Sequence, residues 1–166
     1  MKDAMMSLDP ADTRALRDAF GAFMTGVTIV TTLDEAGAPA GLTANSFTSV
    51  SLDPALLLVC VAGASRTLPA VRASKGFAVN ILAEGQEALS NRFAGKAEDR
   101  FEDVDWRPGP LGAPILPGVC GWFDCALHDE VAAGDHIILI GRVEGFDHPG
   151  GAPLGYAKGG YFTLGR

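Results

Sequence analysis

The sequence predicts a mainly β fold, an antiparallel Greek-key barrel with peripheral helices. Segments of strand length follow one another without a regular intervening helix, which disfavours a parallel βαβ sheet. The 21 glycines and 10 prolines among the 166 residues are spread along the chain, as frequent turns between short strands require. The hydrophobic content of 48% is sufficient for the core of one domain over residues 1–166, with residues 1–10 as a flexible N-terminus.

The first elements are a helix and a β-hairpin. Residues 10–24 place Phe20 and Phe23 at helical spacing, which predicts an amphipathic helix lying on a core. Residues 27–32 are β-branched throughout and predict a strand. A turn rich in Asp and Gly separates them from a second strand at 39–44, so the two strands are expected to pair.

The middle of the chain alternates buried strands with short helices. Residues 56–61 and 77–82 are apolar runs of strand length. Between them, residues 66–73 lack strand alternation and predict a short helix. Residues 84–93 predict a second short helix.

The strongest hairpin signal lies in the second half. Residues 119–131 and 136–146 are mostly apolar or alternating, and residues 132–135 supply the turn between them. Residues 96–117 contain five acids and several prolines and glycines. This composition favours a solvated surface loop over an active-site lid.

The charge of the chain limits its partners. A net charge of −7 and an isoelectric point near 4.8 oppose binding to nucleic acid or to an anionic membrane surface. An anionic ligand can still bind where a few cationic groups converge, because distant charge is screened within roughly 10 Å. The three cysteines are odd in number and form no Cys-x-x-Cys, which favours reduced thiols, a cytoplasmic location and no metal site.

Common catalytic and nucleotide-binding motifs are absent from the sequence. It contains no Gly-x-Gly, no phosphate loop, no Gly-x-Ser-x-Gly and no His-Glu-x-x-His. Residues 41–54 instead form a run dense in small hydroxyl and amide side chains. Such a run can wrap a flat polar ligand closely, and an exposed strand edge rich in Ser and Thr is an equally good interpretation of its composition.

Five segments of the sequence, taken in order, point to one protein family. They are residues 25–32, 41–54, 90–95, 134–136 and 153–161. In this order and spacing they resemble the flavin reductase family, the reductase components of two-component flavin-dependent monooxygenases. The resemblance implies a split β-barrel of the FMN-binding type, assembled as a homodimer with each flavin in a groove near the subunit interface.

The resemblance also implies nine cofactor-binding residues. They are Thr28, Thr43, Ala44, Asn45, Ser46, Ser49, Ser51, Arg92 and Phe93. Residues 43–46 match the positions that meet the isoalloxazine and the ribityl chain, and the residues from Ser49 onward match the phosphate side. Arg92 can bind phosphate through its bidentate guanidinium fork, and the alternative is a surface ion pair with Glu87 or Glu98.

A second group of residues is implied for the nicotinamide. The resemblance places His136 as the catalytic residue beside the nicotinamide, where it positions the ring, because hydride transfer needs stacked rings and no protein acid or base. Asp135 orients His136 or simply ends the turn. Tyr156 and Tyr161 border the dinucleotide, or they pack the C-terminal strand against the barrel.

The implied activity is hydride transfer from NADH or NADPH to N5 of FMN or FAD. The reduced flavin would then reach a partner monooxygenase by diffusion. Two other functions fit the same fold: a non-enzymatic carrier of flavin or haem, and an oxidoreductase with its own organic substrate. The sequence leaves open FMN against FAD, NADH against NADPH, and whether the flavin is a prosthetic group or a co-substrate.

Overall fold

The computed structural model of the chain describes residues 7–164. Residues 1–6 of the predicted flexible N-terminus, residues 1–10, therefore lie outside the described range. Three helices and twelve strands form in the described range. In chain order they are α1 (Thr13–Phe20), β1 (Thr25–Gly26), β2 (Thr28–Leu33), β3 (Pro39–Ala44), β4 (Thr48–Leu52), β5 (Ala55–Ala62), α2 (Thr67–Ser74), β6 (Gly76–Ile81), α3 (Glu87–Ala94), β7 (Arg107–Pro108), β8 (Pro114–Ile115), β9 (Gly121–Ala133), β10 (His136–Asp147), β11 (Leu154–Ala157) and β12 (Gly160–Thr163).

Seven strands form one antiparallel sheet in the order β3-β2-β6-β9-β10-β5-β4. Its centre is the hairpin of β9 and β10, with 13 and 12 residues. Their turn is tighter than predicted, because β9 continues through Ala133 and Gly134 turns the chain at φ +64°. A smaller antiparallel sheet joins β1, β11 and β12. The mainly β, antiparallel fold with peripheral helices is confirmed.

The large sheet curls until β3 approaches β5, although no ladder joins these two strands within residues 7–164. Ser46, just beyond β3, bridges the gap. Its Oγ accepts a hydrogen bond from the Cys60 backbone N–H at 2.8 Å and donates to the Cys60 carbonyl at 3.1 Å. We call this junction of residues 44–46 with Cys60 the seam. At the seam, β3 and β5 are joined by the two hydrogen bonds of the Ser46 side chain and not by a strand ladder.

The sheet is buried on both faces. Val30 and Val79 belong to one apolar cluster, with Phe77, Leu139 and residues of α2. Their strand neighbours Ile29 and Ala78 point the other way, into a second cluster. Burial on both faces explains why β2 and β6 read as continuous apolar or β-branched runs without alternation.

The prediction of a solvated surface loop at residues 96–117 holds for most of residues 96–112, which are exposed, and is wrong for Phe101 and residues 113–116, which are buried. Phe101, Ile115 and Leu116 are buried in the second apolar cluster. The fully buried amide of Asn80 accepts a hydrogen bond from Leu116 N at 2.9 Å and donates to the Pro114 carbonyl at 3.3 Å. The segment is therefore a cover over the outer face of the sheet, anchored through a side chain of β6.

Helix α1 also departs from the prediction. The helix is shorter than residues 10–24, and none of its residues is buried, so the expectation that it lies on a core is wrong for the single chain. Asp12 caps it by accepting from the backbone N–H groups of the first turn. Phe20 and Phe23 are 69% and 77% exposed. Both faces of the sheet are already covered by other segments, which leaves this helix without an apolar partner in its own chain.

Asp124 on β9 gives the fold a pH dependence that can be tested. The carboxyl is fully buried, and burial raises its pKa more than the hydrogen bond from Leu111 N, at 2.6 Å, lowers it. The folded chain therefore binds this proton at higher pH than the unfolded chain. The contribution of Asp124 to the free energy of unfolding is most favourable below the pKa of an unfolded Asp, near 4. This contribution is lost as the pH rises through the pKa of Asp124 in the folded chain.

The substitution Asp124→Asn removes the buried charge and keeps an oxygen to accept from Leu111 N. We expect the melting temperature of the variant to exceed that of the wild type at pH 8, by about 2–4 °C for each kcal/mol removed. The difference should shrink as pH falls toward 4. Asp129→Asn, at an exposed position on the same strand, is the control and should give no such trend. A difference that stays constant from pH 8 to pH 4 would refute the assignment.

Candidate functional site

A cleft of about 410 Å³ opens beside the seam. The end of β3, the connection from β5 to α2, and the C-terminal end of α3 form its walls. The residues in it that the sequence analysis named are Thr43, Ala44, Asn45, Ser46, Phe93 and His136. Folding thus brings together candidate residues from three separate segments of the chain.

Hydrogen bonds fix the backbone at the end of β3. The Thr28 hydroxyl, on the neighbouring strand β2, donates to the Ala44 carbonyl at 2.7 Å. Thr28 is only 2% exposed, so in this chain it supports the wall of the cleft from behind. Ser46 is held at the seam, whereas Asn45 between these two fixed points is exposed. The amide of Asn45 is therefore the polar group at this end that is open to a ligand.

Helix α3 is held over β3 by a hydrogen bond from Thr43 and by the packing of the Phe93 ring. The Thr43 hydroxyl donates to the Ser90 carbonyl at 2.6 Å. The Phe93 side chain is fully buried and meets Phe101 edge-on, with ring centroids 4.9 Å apart. Gly41 makes room for it, since a Cβ there would lie 2.9 Å from the Phe93 ring. Thr43 and Phe93 thus shape the cleft through packing, and the Phe93 ring itself belongs to the core.

Two arginines that the sequence analysis did not select, Arg66 and Arg100, also line the cleft. Arg100 donates to the Gly41 and Gly95 carbonyls at 2.7 Å each, and its Nε is buried without a hydrogen-bond partner. Arg66 donates to the Ala97 carbonyl at 2.8 Å. In the described part of the chain neither guanidinium pairs with a carboxylate.

The two guanidinium groups are close enough to affect each other. Burial, and secondarily the charge of Arg66, lower the pKa of Arg100, although a guanidinium stays protonated at neutral pH. Two guanidinium groups that form no salt bridge within residues 7–164 are suited to a phosphate group, whose oxygens would accept from both. The cleft therefore offers a phosphate site in an otherwise acidic protein.

His136 lies at the edge of the cleft, at the start of β10. Its Nδ1 is 2.7 Å from Oδ1 of Asp135. The hydrogen bond with His136, and then the charge of the imidazole, lower the pKa of the Asp135 carboxyl. Asp135 thus orients the His136 ring, which was one of its two predicted roles, and the Nε2 side of the ring remains for a ligand.

Three residues predicted for the phosphate side lie outside this cleft. Ser49 and Ser51 are on β4, the edge strand of the large sheet, where they pair with Leu57 and Leu56 of β5. The exposed strand edge weighed for this Ser- and Thr-rich run is what residues 48–52 form. Arg92 is exposed and donates to the Glu102 carbonyl, and it forms no ion pair with Glu87 or Glu98.

The two tyrosines anchor the C-terminal hairpin of β11 and β12. Their rings meet edge-on with centroids 5.4 Å apart. The Tyr161 hydroxyl donates to Oδ1 of Asn91 at 2.8 Å and lies 2.9 Å from Oγ of Ser90. Tyr161 therefore fastens the hairpin to α3. Tyr156 lines a separate cavity of about 540 Å³ that reaches Asn45.

The sequence and the fold are similar to those of known proteins. Residues 20–165 match the model of the flavin reductase like domain. The chain belongs to the flavin reductase-like family. A probable flavin reductase of Rhizobium meliloti (strain 1021) is 57% identical over 158 residues, which are 95% of this chain and 51% of that protein. Stachydrine N-demethylase reductase subunit Stc3 of the same strain is 55% identical over 95% of this chain and 69% of its own length.

A solved member of the flavin reductase-like family has the same fold. NADH:FAD oxidoreductase SgcE6 of Streptomyces globisporus C-1027 superposes with a TM-score of 0.90 at 37% identity, over 98% of this chain and 99% of that chain. The split barrel that the resemblance implied is thus confirmed. The chain spans about half the length of the first relative above.

Within the family fold, Arg66 and Arg100 were missed for identifiable reasons. Arg66 follows a predicted strand and begins a predicted helix, and Arg100 lies in the acidic segment interpreted as a surface loop. No local spacing connects two arginines 34 positions apart. The one signal in the sequence was a basic residue at position 100 among five acids.

Residues 7–164 contain neither a membrane-spanning helix nor a cluster of metal-binding side chains. No helix in this range is long and apolar enough to cross a membrane. No group of three or more His, Cys, Asp or Glu side chains in the same range could hold a metal ion.

The role of Arg66 as a phosphate ligand can be tested by Arg66→Gln. We expect the dissociation constants of FMN and FAD to rise about tenfold, because a hydrogen bond to a charged group is lost. Riboflavin has no phosphate, so its affinity should not change. Flavin fluorescence titration at two salt concentrations measures all three. Arg72→Gln, on the helix that begins directly after Arg66 but paired with Glu130, is the control. An equal loss for riboflavin would contradict a phosphate contact.

Proposed function

We propose that this chain is an NAD(P)H-dependent flavin reductase that binds FMN or FAD in the cleft beside the seam. The observation that carries the proposal is that one cleft is lined by His136 and by two arginines that bond backbone carbonyls and pair with no carboxylate in the described chain. A flavin phosphate suits the arginine end, and the ring suits the end with small side chains. The names of the relatives, which include an FMN reductase (NADH) and an NADH:FAD oxidoreductase, support the same activity.

Different residues of the cleft bind different parts of the flavin. Arg66 and Arg100 hold the phosphate, and the Asn45 amide hydrogen-bonds the polar edge of the ring. Ala62 and Ala64 leave space for a flat ring to approach the wall between β5 and α2. When bound, the flavin supplies the N5 atom that accepts the hydride. The protein needs no acid or base for that transfer, so its contribution is to hold two rings in contact.

His136 positions the second ring. Asp135 holds Nδ1, so Nε2 of His136 is the atom left for the carboxamide of a nicotinamide. Placing the nicotinamide over the flavin at roughly 3–3.5 Å converts an encounter of two molecules into a reaction within one complex. His136 is thus a ligand for the electron donor and not a proton donor.

The test is consumption of NADH and NADPH by the purified protein, with FMN, FAD, riboflavin or no flavin. We expect consumption that depends on added or bound flavin. A folded protein that binds flavin but oxidises neither nicotinamide would indicate a flavin carrier and would reject the proposal.

The variant His136→Ala separates the two ligands in the same assay. We expect KM for the nicotinamide to rise about tenfold, as for loss of one hydrogen bond to a bound ligand, while the flavin dissociation constant stays within about twofold. His148→Ala, at an exposed histidine outside the cleft, is the control. A loss of flavin affinity at unchanged KM for the nicotinamide would show that His136 has a different role.

We further propose that two copies of the chain form a homodimer through α1 and the segment that follows it. Phe20, Phe23 and Met24 are all at least 67% exposed and line a cavity of about 710 Å³ together with Asn45 and Phe47. Large exposed apolar groups on one surface are typical of a protein interface. Because Asn45 also lines the candidate cleft, a second copy seated there would complete one wall of the flavin site.

The substitution Phe23→Glu tests the homodimer. A buried carboxylate at the interface should convert the dimer into a monomer, as measured by light scattering during size-exclusion chromatography. Leu111→Glu, at an exposed position on the cover segment, should remain a dimer. A monomeric wild type, or a dimer that tolerates Phe23→Glu, would refute this interface.

Three further points belong to the proposal. The described residues form one domain, since both apolar clusters lie on a single sheet. The reduced flavin diffuses to a monooxygenase component, which is consistent with an open cleft and with relatives named as reductase subunits. The three free cysteines support a cytoplasmic location.

A further inference from the structure

A second cleft, of about 450 Å³, adjoins the candidate flavin cleft. Arg66 and Arg100 line both clefts, so the arginine pair stands where they meet. The second cleft continues past the arginines to Phe101 and Trp106 of the cover segment. We call it the distal cleft. A ligand with its phosphates on the arginines can extend into either cleft, or into both.

The two clefts follow one strand. Residues 38–41 line the distal cleft, and residues 42–46 line the flavin cleft. At roughly 3.3 Å per residue these nine residues span about 25 Å. The two clefts together line an elongated groove, with Arg66 and Arg100 where they meet and Glu98 and Asp99 in the distal part. That distribution suits a dinucleotide, in which two ring systems flank a central pyrophosphate, better than a mononucleotide that ends in its phosphate.

The far end of the distal cleft has groups suited to a nucleoside. Trp106 is 36% exposed, so part of its indole is free to stack on a base. Glu98 is an exposed carboxylate in the same cleft, where it can accept hydrogen bonds from ribose hydroxyls. Asp99 is less free, because its Oδ1 accepts from the backbone N–H groups of Phe101 and Glu102 at 2.8 and 3.1 Å.

We propose that the distal cleft binds the adenosine of FAD, with the pyrophosphate on Arg66 and Arg100 and the adenine on Trp106. The chain therefore selects FAD over FMN. The inference rests on the proposed function in one respect, that the flavin ring occupies the cleft beside the seam. It adds the choice of flavin, and it assigns that choice to a residue about 60 positions away in sequence from the flavin wall.

The adenosine of NADH or NADPH is the other group that could occupy the distal cleft, because it has the same base and ribose. The adenosine of FAD is favoured because its pyrophosphate leads directly from the flavin cleft across the arginines into the distal cleft. Arg100 contacts the Gly41 carbonyl on the side of the distal cleft, whereas His136 pairs with Ala62 of β5, close to the seam, and the nicotinamide is assigned beside His136. A nicotinamide dinucleotide would have to cross the whole flavin cleft before its adenosine reached Trp106.

The first test uses the wild-type protein and compares the dissociation constants of FAD and FMN by fluorescence titration. We expect FAD to bind about tenfold more tightly or better, since one stacked base and one further phosphate are added. Equal affinity, or tighter binding of FMN, would overturn the inference. Neither result depends on turnover, so the choice of flavin is tested separately from the reductase activity itself.

The second test is Trp106→Ala. We expect the dissociation constant of FAD to rise about tenfold and that of FMN to change less than twofold. Trp106→Phe keeps an aromatic face and should keep most of the preference for FAD. Leu111→Ala, at an exposed apolar position on the same segment, is the control and should change neither constant.

Three outcomes of the second test would overturn the inference. The first is an unchanged FAD constant in folded Trp106→Ala, with folding checked by its melting temperature. The second is an equal rise for FAD and FMN, which would indicate a general effect on the flavin cleft. The third is an unchanged FAD constant with a raised KM for NADH when FMN is the acceptor, which would place the adenosine of NADH at Trp106. If Trp106→Ala fails to fold, Trp106→Leu and the wild-type comparison decide the question.

Discussion

The hydrogen bonds of Ser46 with the Cys60 backbone are the constraint on which the rest of the site depends. They close the barrel where β3 and β5 share no ladder in the described chain, and so they leave a gap that a ladder would fill. The candidate cleft lies in that gap. Because Ser46 hydrogen-bonds across the seam and Thr28 holds the Ala44 carbonyl, the backbone of residues 44–46 is fixed while Asn45 stays open to a ligand. The same interaction thus holds the fold together and frames the candidate site.

The cover segment at residues 96–117 connects the core to the site. The apolar outer face of β2 and β6 has to be shielded from water, and the segment does this with Phe101, Ile115 and Leu116. Once it is anchored there, Arg100 is carried to the mouth of the cleft, beside Arg66. The burial that stabilises the sheet therefore also places one of the two arginines of the proposed phosphate site. A protein with net charge −7 obtains local positive potential in this way.

The sequence was sufficient for what depends on local pattern. The strands at 27–32, 56–61 and 77–82 and the hairpin around Gly134 follow from β-branched runs and turn residues, and all of them form. Pattern could not show that the acidic segment covers an apolar face, because its few buried residues are spaced irregularly. Nor could pattern show that α1 lacks a core, since amphipathic spacing does not reveal whether the partner surface belongs to the same chain. The segment 43–46 and His136 came from the family resemblance, whereas the arginine pair required the fold.

Hydrogen–deuterium exchange with and without FAD tests the central claim most directly, that the seam and its two arginines form the flavin site. Bound ligand protects the backbone that it covers or rigidifies. Our account predicts slower exchange in residues 42–46, 60–66 and 95–101, with no change in β4 at residues 48–52. Protection confined to β4 and the C-terminal hairpin, with unchanged exchange around the seam, would contradict it.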